Sequence, residues 1–205
     1  MTTVYLVRHG QSEANVERVF SNGQVDLPLT ALGREQARRA TEWLDGKQIR
    51  RVFSAPLLRA RETANVLAAR LGVDVTVLAD LDEVRVGDLD GRRDEASWVA
   101  YDRLITRWRA GERAAAFPAG ESFGQAYDRY AAALQEIAAR QPGGAVAAVT
   151  HGAIQLTVLP RLCPALGAQF QSGGLAWELG AAAITTLVAT PGGIVCSAWG
   201  STEHL

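Results

Sequence analysis

Cysteine, lysine and histidine are all scarce in this 205-residue chain. Two cysteines, Cys163 and Cys196, are too few for a disulfide framework or a four-thiolate metal site. A reduced, cytoplasmic protein is therefore expected. Lys47 is the only lysine among 21 basic residues, a bias that, with abundant Ala and Gly, points to a GC-rich bacterial genome. A net charge of −1 leaves no surplus of positive charge for a dedicated binder of nucleic acid or of an acidic membrane, although a local basic pocket is compatible with it. Long apolar runs are also missing. The stretch around Ala181–Ala189 is broken by threonines and falls short of the roughly 20 residues that span a bilayer, so no membrane partner is expected. No basic start leads into an apolar core at the N-terminus, and no signal peptide is expected.

What is present is a globular composition, 48% hydrophobic and 21% charged, in a length suited to one domain over residues 1–205. Strand and helix patterns alternate. Thr3–Val7 and Ala145–Thr150 are short apolar, β-branched runs of the kind buried on both faces of a parallel sheet. Val52 and Phe53 suggest another strand, and Val73, Val75 and Val77 alternate as a strand does. Thr30 can cap a helix reaching about Leu44, and Leu57, Ala60, Ala64, Leu67 and Leu71 give one apolar helical face. Two further helical stripes, one from about Asp94 to Trp108 and one through Phe123, Tyr127, Tyr130, Leu134 and Ile137, read as a helical insertion at about 92–141. Near the C-terminus the apolar runs 182–189 and 194–199 flank Pro191-Gly192-Gly193, a hairpin signal. The expected fold is α/β, a three-layer α/β/α sandwich with a mostly parallel sheet. The hairpin and exposed apolar residues offer a surface on which a homodimer could form.

Two of the three histidines share one context: Val7-Arg8-His9-Gly10 and Val149-Thr150-His151-Gly152. Each follows a strand pattern and precedes a glycine that permits a tight turn and a close approach of a ligand to the backbone. Ligands of open α/β sheets bind outside the carboxyl ends of the strands, so neighbouring strands would bring both imidazoles to one site. His204 lacks that context and is set aside. Ser54 to Ala64 runs from a strand end into a helix whose N-terminus favours anions. Arg59 in its first turn opposes the helix dipole, which suggests a separate need for a cation there, whereas Arg61 and Glu62 read as solvated. No HExxH or Cys-His ligand spacing points to a metal, and no GxGxxG or Walker loop follows the first strand.

The ordered set of motifs resembles the histidine phosphatase superfamily, the phosphoglycerate-mutase-like proteins. It comprises Arg8-His9-Gly10-Gln11-Ser12-Glu13-Ala14-Asn15, Asp26-Leu27-Pro28-Leu29-Thr30 with Gly33, Ser54–Ala64, Leu81-Asp82-Glu83 with Gly87, Gly120-Glu121-Ser122, and Thr150-His151-Gly152. The resemblance implies that His9 is the phosphorylated nucleophile and that Glu83 is the proton donor and later acceptor. It also implies that Arg8, Arg59 and His151 hold the phosphoryl oxygens. Asn15, Gly23 and Gly152 would complete the substrate contacts. It implies no metal and no cofactor, and a small phosphorylated substrate. Cations beside His9 would keep it neutral, and a phosphate against His151 would keep that ring protonated. Ser122 has an equally simple reading as a helix cap.

Within the family the choice lies between a phosphatase and a cofactor-dependent phosphoglycerate mutase. Mutases of the family carry Glu-Arg-His-Tyr-Gly in the acidic block, where this chain reads Glu83-Val84-Arg85-Val86-Gly87. That favours hydrolysis by a histidine acid phosphatase-type phosphomonoesterase. A non-catalytic phospho-ligand-binding protein would have no use for Glu83. The chain departs from the family pattern at Asn22, where a glutamine is usual before Gly23, and at Gly200-Ser201, where Asn-Asp is usual.

Overall fold

Thr2–Arg8 forms β1, its apolar residues Val4, Leu6 and Val7 sunk into the interior. The computed structural model describes residues 1–205. After β1 come a five-residue helix α1 (Glu13–Glu17) and α2 (Ala31–Leu44), then β2 (Ile49–Ser54), α3 (Leu58–Leu71) and the short β3 (Val75–Val77). Two 3-10 turns, Ala79–Leu81 and Gly87–Leu89, bracket an irregular loop. There follow α4 (Glu95–Ala110), α5 (Phe123–Arg140), β4 (Ala145–Thr150), α6 (Gly152–Leu162), α7 (Pro164–Gln171), and the strands β5 (Ile184–Thr190) and β6 (Gly193–Ser201).

The six strands form one sheet in the order β3-β2-β4-β1-β5-β6. The first four are parallel; β5 runs antiparallel to β1, and β6 pairs with β5 across the expected turn. Helices cover the sheet on both sides, with α3 on β2 and β4 and α2 packed against α3, and with α5 against β1 and α6. This is the three-layer α/β/α sandwich of the expectation. The core is one continuous cluster, with Phe53, Leu6, Leu67, Trp108, Tyr130 and Ile154 among its fully buried members.

Caps explain where several helices begin. Thr30 accepts from the Gly33 amide, Asp94 from that of Ser97, and Ser122 closes a capping box with Gln125. Ser122 therefore does what its simpler reading requires. The helices α1, α6 and α7 are not foreseen. α1 spans a single turn, and α6 buries polar Gln155 and Thr157 along with its apolar residues and holds Pro160 inside it, so neither displays an amphipathic period. Cys163 is buried, whereas Cys196 is partly exposed on β6. His204 rests with Nε2 3.0 Å from the Ala182 carbonyl. No helix is long and apolar enough to cross a membrane.

Candidate active site

The register of the sheet decides which residues meet. Val7 pairs with Val149 and Arg8 with Thr150 across β1 and β4, so His9 and His151 leave adjacent strands at the same level. Ser54 pairs with Val149 from the other side, which starts the β2–α3 connection at that edge and brings Arg59 in. The ring centroids of His9 and His151 lie 5.1 Å apart. The expectation that both imidazoles converge on one site is met.

The His9 loop is fixed by its own backbone. Nδ1 of His9 lies 2.7 Å from the Gly10 carbonyl, a contact made if Nδ1 carries the hydrogen. The lone pair is then on Nε2, where Arg59 donates Nε–H at 3.1 Å. Thr63 ties the pieces together: its hydroxyl accepts from the Gly10 amide at 3.1 Å and donates to the Arg59 carbonyl at 2.8 Å. Arg59 also donates Nη1–H to the Ser21 carbonyl at 2.6 Å. Arg8 binds the Leu179 carbonyl through Nη1, while its buried Nε has no partner.

The two glycines after the histidines serve approaches within the protein. A Cβ on Gly10 would stand 2.2 Å from the Gly33 carbonyl oxygen, and one on Gly152 would stand 3.1 Å from Nε of Arg8. Gly10 thus admits the start of α2, and Gly152 makes room for a guanidinium.

Both helix N-termini at this edge are met by carboxylates from elsewhere. Leu57 gives α3 no side-chain cap, and Asp26 instead accepts from the Leu58 amide at 2.9 Å and 3.0 Å. At α6, Glu83 accepts from Ala153 and Ile154 at 3.0 Å and 2.8 Å, and from its neighbour Val84 at 2.9 Å. Glu62, expected to be merely solvated, accepts from the Leu29 amide at 2.8 Å and so braces the loop before α2.

Electrostatics at the site follow from burial. His9 is pushed well below the ordinary histidine value, first by burial and then by the Arg59 and Arg8 cations. His151 is pushed down in the same way, by burial and then by Arg59 and the neighbouring ring. The opposite charge states expected for the two rings are thus not a property of the protein groups alone. Asp82 is raised to about 6, chiefly by burial. Its carboxylate lies 3.7 Å from Nε2 of His151, too far for a hydrogen bond. Both ring nitrogens of the fully buried His151 lack a partner. Buried polar atoms left unpaired cost about 1–3 kcal/mol each, and these stand beside the equally unpartnered Nε of Arg8 in that account.

A cavity of about 350 Å³ opens on this edge. Arg8, His9, Asn15, Arg59, Glu83 and Gly152 line one end. Phe20, Trp98, Tyr101, Ile105, Leu156 and Leu179 form apolar wall, with Asp102, Arg109 and Glu178 also on it. Asn15 is on the wall, but its Oδ1 is engaged with Ser12 in the α1 capping box. Gly23 does not line the cavity. Its loop is fastened by Asp90, which accepts from the amides of Asn22 at 2.8 Å and Gln24 at 2.7 Å, and Asn22 reaches the wall in its place. Of the aromatic stripe on α4, Trp98 and Tyr101 face the cavity, while Trp108 is fully buried core. The contributions of Leu179, Glu178 and Leu156 come from segments to which the sequence pattern assigned no site. Only the tertiary fold reveals them.

Comparison with known proteins agrees with this geometry. The family described as histidine phosphatase superfamily (branch 1) matches residues 4–202. A phosphoglycerate mutase-like protein 4 of Arabidopsis thaliana is 34% identical over 164 residues, covering 78% of this chain and 71% of the relative. A probable phosphoglycerate mutase of Salmonella choleraesuis is 34% identical over 152 residues, covering 74% and 70%. Among solved structures, a mutant phosphoserine phosphatase of Entamoeba histolytica in complex with phosphoserine superposes with a TM-score of 0.81 at 25% identity, over the whole of both chains. A mycobacterial glucosyl-3-phosphoglycerate phosphatase complexed with VO3 does so with a TM-score of 0.79 at 29% identity, covering 98% of this chain and 99% of that one.

Proposed function

Since this chain belongs to the histidine phosphatase superfamily, we propose that it is a metal-independent phosphatase that hydrolyses small phosphomonoesters through a phosphohistidine on His9. The observation that carries the reading is the convergence of a neutral, tautomer-fixed His9 with Arg8, Arg59 and Glu83 on the wall of one cavity, with the buried ring of His151 5.1 Å from that of His9.

In the proposed reaction Nε2 of His9 attacks phosphorus as the bond to the leaving oxygen breaks, and Glu83 gives that oxygen a proton. Phosphoryl transfer asks a protein mainly for positioning and charge stabilisation. The Arg8 and Arg59 guanidiniums supply permanently charged, planar donors for the equatorial oxygens. His151 completes the ring of donors once a dianion against it restores its proton. Water then attacks the phosphohistidine, Glu83 takes the proton back, and phosphate leaves. In this reading the arginines do the neutralising that a metal does elsewhere.

The cavity supports a compact substrate. Its volume of about 350 Å³ is at the small end for ligand pockets. Aromatic and aliphatic side chains make up much of its wall, and beyond Arg8, Arg59 and Glu83 its charged lining is two carboxylates, Asp102 and Glu178, and one cation, Arg109. A monophosphate with a small, mostly apolar body fits this better than a bisphosphate or a phosphoprotein.

The test is hydrolysis of p-nitrophenyl phosphate at mildly acidic pH, with and without chelator, and trapping of phosphoenzyme from labelled substrate. Turnover is expected to survive chelation, and both turnover and label are expected to vanish in His9→Ala. No turnover on any phosphomonoester would favour a non-catalytic phospho-ligand-binding protein. The mutase names of the sequence relatives favour a second reading. Incubation with 3-phosphoglycerate separates the two, since a phosphatase releases inorganic phosphate and a mutase returns an isomer.

A further inference from the structure

The loop that carries Glu83 has no regular secondary structure between Asp82 and Val86, yet every carbonyl from residue 80 to residue 85 is held. The Asp80 carbonyl accepts from Arg129 Nη1 at 3.0 Å, the Leu81 carbonyl from the Thr150 hydroxyl at 2.8 Å, and the Asp82 carbonyl from Arg129 Nη1 at 2.9 Å. The Glu83 carbonyl accepts from Arg129 Nη2 at 2.8 Å, that of Val84 from Asn22 Nδ2 at 2.7 Å, and that of Arg85 from the Glu121 amide at 2.9 Å. Half of these bonds come from one side chain.

Arg129 belongs to α5 and does not line the candidate active site. Its Nη2 also donates to Glu121 Oε1 at 2.6 Å and its Nε to Glu121 Oε2 at 2.8 Å. All five of its N–H groups therefore have an acceptor: three carbonyls of the acidic loop and the two oxygens of one carboxylate. Glu121 in turn accepts from the Arg85 amide at 2.9 Å, so it grips the loop beyond Glu83 while Arg129 grips it before. The side chains are 9% and 6% exposed. A guanidinium desolvated on this scale and spent wholly on backbone carbonyls and one carboxylate serves geometry.

We propose that Arg129, clamped by Glu121, is a positioning residue that sets the place of the Glu83 carboxyl in the reaction. The inference rests on the reading of Glu83 as the proton carrier. The carbonyl of Glu83 is fixed from one side by Arg129. Its carboxylate is fixed from the other by the first turn of α6, which follows directly from His151. The side chain is thus strung between two rigid elements, with its carboxyl at the cavity wall. The Gly120-Glu121-Ser122 block then has a task at the site without touching substrate. Lysine cannot replace Arg129, because one ammonium nitrogen cannot span acceptors set around a planar fork.

The experiment compares kcat/KM for a series of phosphomonoesters from p-nitrophenyl phosphate to phenyl and alkyl phosphates. A general acid matters more the poorer the leaving group, so its loss steepens the dependence. Glu83→Gln is expected to lower kcat/KM for alkyl phosphates by roughly 10²- to 10⁴-fold, and far less for p-nitrophenyl phosphate. Arg129→Met is expected to steepen the dependence in the same sense, by up to about a hundredfold at the alkyl end, the scale of a carboxyl displaced by about 1 Å. In a Glu83→Gln background the same change should add nothing to the slope. Glu121→Gln, nearly isosteric, and Arg129→Lys carry the same test if Arg129→Met does not fold. An equal loss across all leaving groups, or a full additional loss on top of Glu83→Gln, would show a merely structural role and overturn the proposal while leaving Glu83 in place. An unchanged slope in Glu83→Gln itself would remove Glu83 as proton carrier, and the positioning role with it.

Discussion

Arg59 donates Nε–H to Nε2 of His9 at 3.1 Å, the nitrogen whose lone pair an attack on phosphorus needs. The contact cannot persist in that step. A phosphoryl group entering between them has to take both partners at once, with phosphorus facing Nε2 and an oxygen accepting the freed N–H. In the proposed reaction the pair serves as a neutral nucleophile and a cation already aimed at the place where negative charge gathers.

From this follows a prediction with separable readouts. Burial is the first cause of the lowered basicity of His9, and the Arg59 cation is the second. Arg59→Met removes the second and keeps the first, so the imidazole titrates at a higher pH than in the wild type, measured by NMR on the ring. Arg59→Lys keeps the charge and leaves the titration low. Both variants lose the forked donor, and kcat/KM is expected to fall roughly 10²- to 10³-fold in each. A titration that does not move in Arg59→Met would mean that burial and the Arg8 cation together suffice to keep the ring neutral.

Much of this site was legible because parallel strands translate sequence into position. A repeated strand-His-Gly pattern places two residues at one sheet edge whatever the rest of the chain does, provided the strands are neighbours, as β1 and β4 are. Arg59 was legible for a local reason, a cation in a first helical turn where the dipole disfavours it. The remainder depends on pairings between distant segments. Glu121 and Arg129 are two charges among many until the fold buries them against the 80–85 carbonyls. Leu179 reaches the cavity from an irregular stretch with no period at all. The helix α6 hides because a segment buried all round shows no amphipathic stripe, and its Ile154, Gln155, Val158 and Leu159 are all fully buried. Gly23, a motif position carried over by order alone, lies off the cavity wall, and its neighbour Asn22 lines it.

The approach of the His9 loop to α2 gives a second prediction. A Cβ on Gly33 would sit 1.9 Å from the Gln11 carbonyl oxygen, and neither backbone can yield without moving the turn that follows His9. Gly33→Ala is expected to cost about 1–3 kcal/mol, the usual penalty of overpacking. It should also lower kcat further than the folded fraction accounts for, since the displaced turn carries His9, the proposed nucleophile. Gly192→Ala is the control, because its Cβ would find only the Thr190 hydroxyl at an ordinary 3.7 Å. Thermal melts and kcat on the same preparations decide the matter. Full activity per folded molecule in Gly33→Ala would separate this contact from the site.

Acid stability supplies the third prediction, because the buried groups of the site pull in opposite directions. His9 and His151 are held neutral in the folded protein, well below the ordinary value of about 6.5. As pH falls through that value the unfolded chain gains two protons that the folded chain refuses, so stability present near neutrality is lost on acidification. Asp82 has the reverse sign. Its folded value is about 6 and its unfolded value about 3.9, so the folded chain takes its proton first. Its contribution is full below about 4 and lost as pH rises through about 6. Between these limits one proton on Asp82 offsets one of the two refused by the histidines, and the net slope still favours unfolding in acid. Asp82→Asn removes the offset while keeping an oxygen to accept from the Glu83 amide, as Oδ1 does at 2.9 Å. The midpoint of thermal unfolding should therefore fall more steeply in Asp82→Asn than in the wild type from about pH 6.5 to about pH 4.5. Scanning calorimetry of the two proteins in parallel checks this, with all other titrations common to both. A variant slope equal to or shallower than that of the wild type would show that Asp82 holds no proton in this range and that its carboxylate is better paired than its 3.7 Å distance from His151 implies.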